Sequence, residues 1–409
     1  MAMHILYIAY SCMPNKGSEE KIGWNIPLQS AKNNQVCVLT KEEHRSAIEA
    51  YLQEHNIKNI KFYYADIPAV YKKIFKGIAY SMRLNIWHKR AFAVAKEICQ
   101  KENIQIIHQI TPIEFRSIGD YGRIPNVKFV CGPIGGGEYM PKAFYRYVGK
   151  HFPPEMIRLV LNAFTKGTMS LQRKLDRCDF LFFANRETKA YLSGIMHDTP
   201  SALYFDNGID ESEFLEPNVK PGGDGARMVF LVAGRVAYRK GHKFLLDVLA
   251  RLPKELPYEV RIVGEGPELN HLKKICEEYG LESHVTFTGR IPYAAMVNEY
   301  ANADVLIMPS IRETTGAVLL EAMSKGLPVV TIDRFGGPVL LNEETGWLYS
   351  GETTQEYMQH LAEIIVGCVH NPNEVRRKGR NAAQAAKQHL WTEKIRCYQQ
   401  IYEAIMKEN

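Results

Sequence analysis

Short runs of apolar residues rich in β-branched and aromatic side chains alternate along this chain with longer segments of helical periodicity. In the first half the runs fall at His4–Tyr10, Gln35–Thr40, Ile60–Asp66, Ile104–Ile110, Val127–Gly132, Asp179–Asn185 and Ser201–Asn207. Each is bounded by turn formers, and each is short enough to be a strand. The rhythm breaks after Asn207, in a stretch with Pro217, Pro221, Gly222, Gly223 and Gly225, and then restarts. The second series falls at Met228–Gly234, Tyr258–Gly264, His284–Gly289, Asp304–Pro309, Pro328–Asp333 and Trp347–Tyr349. Strands that alternate with helices predict a parallel sheet covered on both faces, and the two series predict two such sheets. The expected fold class is therefore α/β, with two Rossmann-like, doubly wound domains facing an interdomain cleft. Ligands of such sheets bind beyond the carboxyl ends of the strands.

Length agrees with this division. A chain of 409 residues exceeds the roughly 250–300 at which a single core stops growing. The expected boundaries are 1–205 for an N-terminal domain, 206–225 for a linker and 226–391 for a C-terminal domain. No apolar run approaches the roughly 18 residues of a membrane-spanning helix. The first ten residues lack the basic stretch and cleavage site of a signal peptide, so a cytoplasmic location is expected. Eight scattered cysteines without metal-ligand spacing read as small buried hydrophobes.

Charge separates the halves. The formal net charge is +6, but residues 1–200 carry 28 basic against 17 acidic residues, and the remainder 23 against 28. Residues 68–101 and 142–177 each hold eight basic residues among aromatic and aliphatic ones, and both read as basic amphipathic helices. Such helices suit an anionic membrane surface, here the inner face, or an anionic substrate; an ordinary solvated basic face fits equally well. No nucleic-acid-binding motif is present, so no nucleic-acid partner is expected.

Four loops that follow strands carry candidate chemistry. Gly234-Arg235-Val236-Ala237-Tyr238-Arg239-Lys240-Gly241 combines glycines that permit close approach with two cations able to reach a diphosphate. In Arg312-Glu313-Thr314-Thr315-Gly316, a helix beginning near Thr315 would direct free N–H groups at an anion, with Glu321 further along it. A carboxylate at Glu321 suits the hydroxyls of a ribose. Gly264-Glu265-Gly266-Pro267 is too short for a dinucleotide fingerprint. The N-terminal half offers the turn at Gly17 and the loop Gly135-Gly136-Gly137-Glu138, against whose backbone a substrate could lie, although a flexible tight turn explains the glycines as well.

Together these segments resemble those of the retaining, nucleotide-sugar-dependent glycosyltransferases of family 4, which have the GT-B architecture. The similarity is carried by Asn207-Gly208-Ile209-Asp210, Gly234-Arg235…Lys240-Gly241, Val263-Gly264-Glu265-Gly266-Pro267, Phe287-Thr288-Gly289 and Glu313…Glu321. The resemblance implies that Arg235 and Lys240 hold the donor diphosphate and that Glu313 approaches the transferred sugar. It also implies that Glu321 binds the donor ribose, that Arg290 and Ile291 meet the base, and that Gly17 closes over the phosphates. Gly234, Gly264, Thr315 and Gly316 complete the expected donor site, and His108 is the candidate catalytic histidine, a core position at a strand end being its alternative. The last helix, about Thr392–Lys407, is expected to complete the N-terminal domain. The segment Glu313-Thr314-Thr315-Gly316-Ala317 departs from the usual E-G-F-G-L, which leaves sugar stereochemistry and acceptor fit open.

The expected activity is metal-independent transfer of a sugar, with retention, from a nucleoside-diphosphate sugar to a saccharide or lipid-linked acceptor, in cell-surface polysaccharide or glycoconjugate synthesis. The donor, UDP- or GDP-linked, is a co-substrate, and no permanently bound cofactor or metal is expected. Gly135, Gly136, Gly137 and Glu138 are the acceptor-side candidates. Two alternatives stay open: a GT-B nucleotide-sugar epimerase, and a catalytically silent partner of another transferase.

Overall fold

The computed structural model describes residues 2–17, 19–75, 80–214 and 227–407. The Pro/Gly-rich stretch from Pro217 to Gly225, with Lys76 and Ile78 of the first basic segment, lies outside them. Strands β1 (His4–Ala9), β2 (Gln35–Lys41), β3 (Ile60–Ala65), β4 (Ile106–Thr111), β5 (Lys128–Ile134), β6 (Phe180–Phe183) and β7 (Ser201–Leu203) form one parallel sheet in the order β3-β2-β1-β4-β5-β6-β7. Strands β8 (Met228–Ala233), β9 (Tyr258–Val263), β10 (Val285–Gly289), β11 (Val305–Met308), β12 (Val329–Ile332) and β13 (Gly346–Tyr349) form a second, in the order β10-β9-β8-β11-β12-β13. Every expected strand is present. The seventh stops at Leu203, where its partner strand β6 also ends, at Phe183.

The chain forms two compact units. The first comprises Met1–Glu138, Pro153–Gly208 and Trp391–Asn409. Its sheet is buried on both faces, so its strands read as nearly continuous apolar runs. The Tyr80–Lys101 helix covers one face with Leu84, Trp87, Ala91, Ala95 and Ile98, at the three- and four-residue spacing of an apolar helical stripe. The final helix, Trp391–Lys407, covers the other with Trp391, Ile395, Tyr398, Tyr402 and Ile405. At its start Trp391 packs so closely on Gly208 that a Cβ there would lie 2.5 Å from the indole.

The second unit comprises Ile209–Leu390 and also Tyr139–Phe152, a segment inside the range expected for the first domain. Phe144 explains this placement. It is fully buried against Phe244 and Tyr357, ring centroids 5.1 and 4.7 Å away, and Thr354 Oγ1 donates to the Ala143 carbonyl at 2.5 Å. Residues 142–151 are consequently not the amphipathic helix expected. They form two short 3₁₀ turns, Lys142–Tyr147 and Gly149–His151, separated by Val148, itself buried, with Gly149 at φ +53°. Regular helix begins only at Phe152 and runs to Leu171 in the first unit, apart from its first residue.

Among the described residues no helix is long and apolar enough to cross a membrane. Seven of the eight cysteines are buried and all eight are unpaired, in keeping with their reading as small hydrophobes.

Candidate functional site

In the second unit the chain winds outward in both directions from β8 and β11, so the switch point of the sheet lies between these two strands. The loop after β8 carries Arg235 to Gly241, and the loop after β11 carries Glu313. Backbone bonds join them: the N–H groups of Ile311 and Arg312 both donate to the Arg239 carbonyl, at 2.9 and 3.3 Å. Gly241 permits this approach. It sits at φ +71°, and a Cβ there would lie 1.9 Å from the Pro309 carbonyl oxygen. The two motifs thereby meet through their side chains. Lys240 Nζ donates to Glu313 Oε2, and Arg239 lies 3.4 Å from both carboxylate oxygens.

Glu313 is largely shielded from solvent, and burial pushes its carboxyl pKa up. The charges of Lys240 and Arg239 and the N–H of Thr314 more than offset this, so the group lies below the usual carboxylate range. It is an anion held by two cations at the strand ends. The helix that follows is Ala317–Ser324, two residues later than the expected start, because Gly316 at φ +86° is its N-cap. A Cβ on Gly316 would meet Met308 Sδ at 2.6 Å. Thr315 is buried beneath this turn, and its carbonyl oxygen would lie 2.1 Å from a Cβ on Gly336. On the helix, Glu321 accepts the Tyr300 hydroxyl at 2.9 Å.

The ends of β8, β9 and β10 are stitched side by side. Gly234 N–H donates to Val263 O at 3.0 Å and Gly264 N–H to Gly289 O at 2.9 Å. Gly264 (φ +146°) could not carry a side chain, since its Cβ would fall 1.9 Å from Gly234 O. Gly234 (φ +134°) faces open space, and Arg235 beside it is exposed, with no bonded partner among the described residues. Arg290 is exposed and Ile291 half-buried just past β10. The structure therefore brings Lys240 and Glu313 into contact, and Gly234 and Gly264 into one edge. It leaves Arg235 and Arg290 extended into solvent.

In the first unit, the Gly135–Gly137 loop is a fastened one. The carbonyl of Gly135 accepts the Phe115 N–H, that of Gly136 accepts Asn162 Nδ2, and the Gly137 N–H donates to Thr188 Oγ1, all within 3.1 Å. Glu138 is buried and accepts the Gly136 N–H at 2.8 Å, with Asn185 Nδ2 and Thr188 Oγ1 each at 3.4 Å. Its carboxylate ties the loop to the start of the Arg186–Leu192 helix. Gly17 is exposed after β1, with nothing within 4 Å of a notional Cβ. Nearby Glu19 accepts the Ile113 N–H at 3.0 Å, joining the loops that follow β1 and β4. Burial raises its carboxyl pKa to about 7, aided by the Glu114 charge.

His108 takes the alternative position, in the core. It is fully buried, with Nε2 2.8 Å from the Gly132 carbonyl and Nδ1 2.6 Å from the Tyr402 hydroxyl. A carbonyl only accepts, so Nε2 carries the hydrogen and Nδ1 accepts from Tyr402. Burial lowers the ring pKa to about 3 and keeps it neutral. Its two bonds clamp the final helix to the sheet and leave no nitrogen for a substrate, so its expected catalytic place is corrected to a structural one.

Two residues of the site escape a reading of the motifs. Arg239 is the second cation on Glu313, and its place inside the Arg235–Gly241 motif was the available signal. Tyr300, the partner of Glu321, sits on a separate short helix, Met296–Ala301, which has no sequence signature.

Comparison with known proteins bears on the fold and the family. Residues 218–385 match the family model described as glycosyl transferases group 1. A GDP-mannose-dependent alpha-(1-6)-phosphatidylinositol monomannoside mannosyltransferase from Mycolicibacterium smegmatis is 29% identical over 211 residues, covering 48% of this chain and 55% of that protein. The chain thus spans about half the length of the curated relatives it matches. A glycosyltransferase from Rickettsia africae superposes over 100% of both chains with a TM-score of 0.68 at 16% identity. Anabaena Alr3699/HepE in complex with UDP does so over 100% of both chains with a TM-score of 0.63, also at 16%. With the joined motif loops at the β8/β11 switch point, the two parallel sheets are those of the GT-B fold, and it is the second unit that carries the match to glycosyl transferases group 1.

Proposed function

We propose that the protein is a hexosyltransferase that moves a sugar from a nucleoside-diphosphate sugar to a saccharide or lipid-linked acceptor, with retention of anomeric configuration. The observation that carries this reading is the cluster of Arg239, Lys240 and Glu313 at the β8/β11 switch point, where open α/β sheets bind ligands. When the bond between sugar C1 and the diphosphate oxygen breaks, negative charge develops on the leaving group, and Lys240 and Arg235 stabilise it. Glu313, kept ionised, faces the positive charge developing at the sugar. The acceptor oxygen then bonds to C1 on the face the diphosphate leaves, and its proton passes to the departing phosphate. Glu321 and the backbone beside Arg290 and Ile291 bind the nucleoside, and Gly17 and the Gly135–Glu138 loop serve the phosphates and the acceptor.

Support for the donor class comes from the GDP-mannose dependence named for the mycobacterial relative and the UDP complex of the Anabaena neighbour. The named phosphatidylinositol acceptor of the former, with the basic segments of the first half, supports a lipid-linked acceptor at an anionic membrane surface. The role falls in cell-surface glycoconjugate synthesis. The reading is tested by incubating the chain with UDP- and GDP-sugars and glycolipid acceptors and measuring nucleotide release. Acceptor-dependent release, lost in Arg235→Ala/Lys240→Ala, is expected. A folded protein that neither binds nor turns over any nucleotide sugar would overturn it.

A further inference from the structure

A groove of about 1090 Å³ lies in the first unit between the Tyr80–Lys101 and Phe152–Leu171 helices. Met82, Phe92, Ile157, Leu161, Phe164 and Met169 make its walls apolar. Several of them stand in water: Phe164 is 71% exposed, Met82 57% and Ile157 48%. Burying side chains of this kind is favourable, so an exposed set in one groove favours an occupant.

The groove also holds polar groups without partners. His88 is 4% exposed, its Nδ1 is 2.9 Å from the Tyr121 hydroxyl, and its Nε2 is buried with no partner. With Tyr121 donating to Nδ1, Nε2 carries a hydrogen that goes unused. The Lys174 side chain, half-buried in the same lining, makes no hydrogen bond or ion pair among the described residues, although the charge of Asp120 acts on it and burial lowers its pKa. Exposed Lys89 adds a third donor. The acid of the lining, Asp120, is engaged by Arg177 at 2.5 Å and Arg123 at 3.0 Å. Unused donors and a free ammonium call for an anion, and the apolar walls call for a hydrocarbon chain.

We propose that this groove binds a phosphate-headed lipid, one hydrocarbon chain lying against Leu161 and Phe164 and the phosphate meeting Lys174, His88 and Lys89. This deepens the proposed contact with anionic membrane lipid and rests on that part of the reading. The lipid need not be the acceptor: the groove lies on the flank of the sheet, between two covering helices.

Dodecyl phosphate, below its micellar concentration, is titrated into the full chain by calorimetry, with inorganic phosphate and dodecyl maltoside as separate arms. Saturable binding of dodecyl phosphate is expected, at least tenfold tighter than either control. Phe164→Glu, at an exposed position that leaves the core intact, should weaken it at least tenfold, and so should Lys174→Met. Binding unchanged in Phe164→Glu, equal binding of either control, or no binding would overturn the proposal. Nucleotide-induced thermal shifts on the same samples separate the two readings. A nucleotide shift without lipid binding sinks the groove alone, and lipid binding without any nucleotide shift sinks the transferase alone.

Discussion

Lys240 donates a hydrogen bond to Glu313 across 73 residues of sequence, and the two side chains close the switch point of the second sheet. On the proposed reading, each charge is held in place for a different part of the same donor: a diphosphate arriving at Lys240 competes for its ammonium, and Glu313 retains Arg239 as its counter-ion.

The two residues should consequently separate in mutational tests. Lys240→Ala is expected to weaken nucleoside-diphosphate binding by about 10- to 100-fold, through loss of a charge-assisted contact worth about 1.4–3 kcal/mol. Glu313→Gln should keep nucleotide affinity within about threefold while lowering kcat by roughly 10²–10³, as expected for a group that acts on charge in the transition state. Calorimetric titration with UDP and GDP, beside initial rates of nucleotide release, makes the comparison. Equal loss of affinity in both variants would contradict the division of roles.

Gly241 and Gly264 should tolerate no side chain. Alanine at either would need positive φ and a Cβ about 1.9 Å from a carbonyl oxygen, so the paired strand ends must move apart. Each substitution is expected to destabilise the protein by about 2–4 kcal/mol, in the range of backbone strain combined with overpacking. Nucleotide binding should fall with it. Gly17→Ala, with open space around it, is the matched control and should change stability by less than about 0.5 kcal/mol in a denaturant titration.

Stability should fall as the pH drops from 7 to 5. Burial depresses the ring pKa of His88 and His108 to about 3, and of His44 and His242 to about 4, against 6.5 in the unfolded chain. Below pH 6.5 the unfolded chain binds protons that the folded one does not, at a cost of about 1.4 kcal/mol per group per pH unit. Glu19, raised to about 7, works in the opposite sense, because the folded state takes up its proton first between pH 7 and 4.5. Four groups against one leave a net loss, to be read as a falling Tm between pH 7 and 5. A Tm that is flat across this window would refute the neutral, buried state of these histidines.

Removal of the last helix should unfold the first unit. Residues 391–409 supply Trp391, Ile395, Tyr398, Tyr402 and Ile405 to its core, at about 1.5–3 kcal/mol each. That sum is comparable with the whole net stability of a domain, about 5–15 kcal/mol. The truncated chain is expected to bind a hydrophobic dye and lose cooperative melting. Retention of a sharp transition for the first unit would show that the helix is an accessory.

The strands were legible because both sheets are parallel and buried on two faces, which turns each strand into a short apolar run that period and turn residues delimit. The candidate donor motifs were legible for a related reason: Arg235, Lys240, Glu313 and Glu321 all follow such runs. Residues 142–151 were misread, because Tyr147, Val148 and three basic residues imitate an amphipathic surface helix. The burial of Phe144 in another core has no local signature. His108 was ambiguous for the same reason, since a strand-end histidine looks alike whether its nitrogens face solvent or Gly132 and Tyr402.

From the sequence alone came the two α/β sheets, the order of their strands along the chain, and the loops that could carry chemistry, because periodicity and turn chemistry act over a few residues. Tertiary structure alone decided that Arg239 and Lys240 share Glu313, that residues 139–152 belong to the second unit, and that His108 is a clamp. Those outcomes depend on which surfaces bury one another, an energy that is summed over the whole packed unit and written in no single segment.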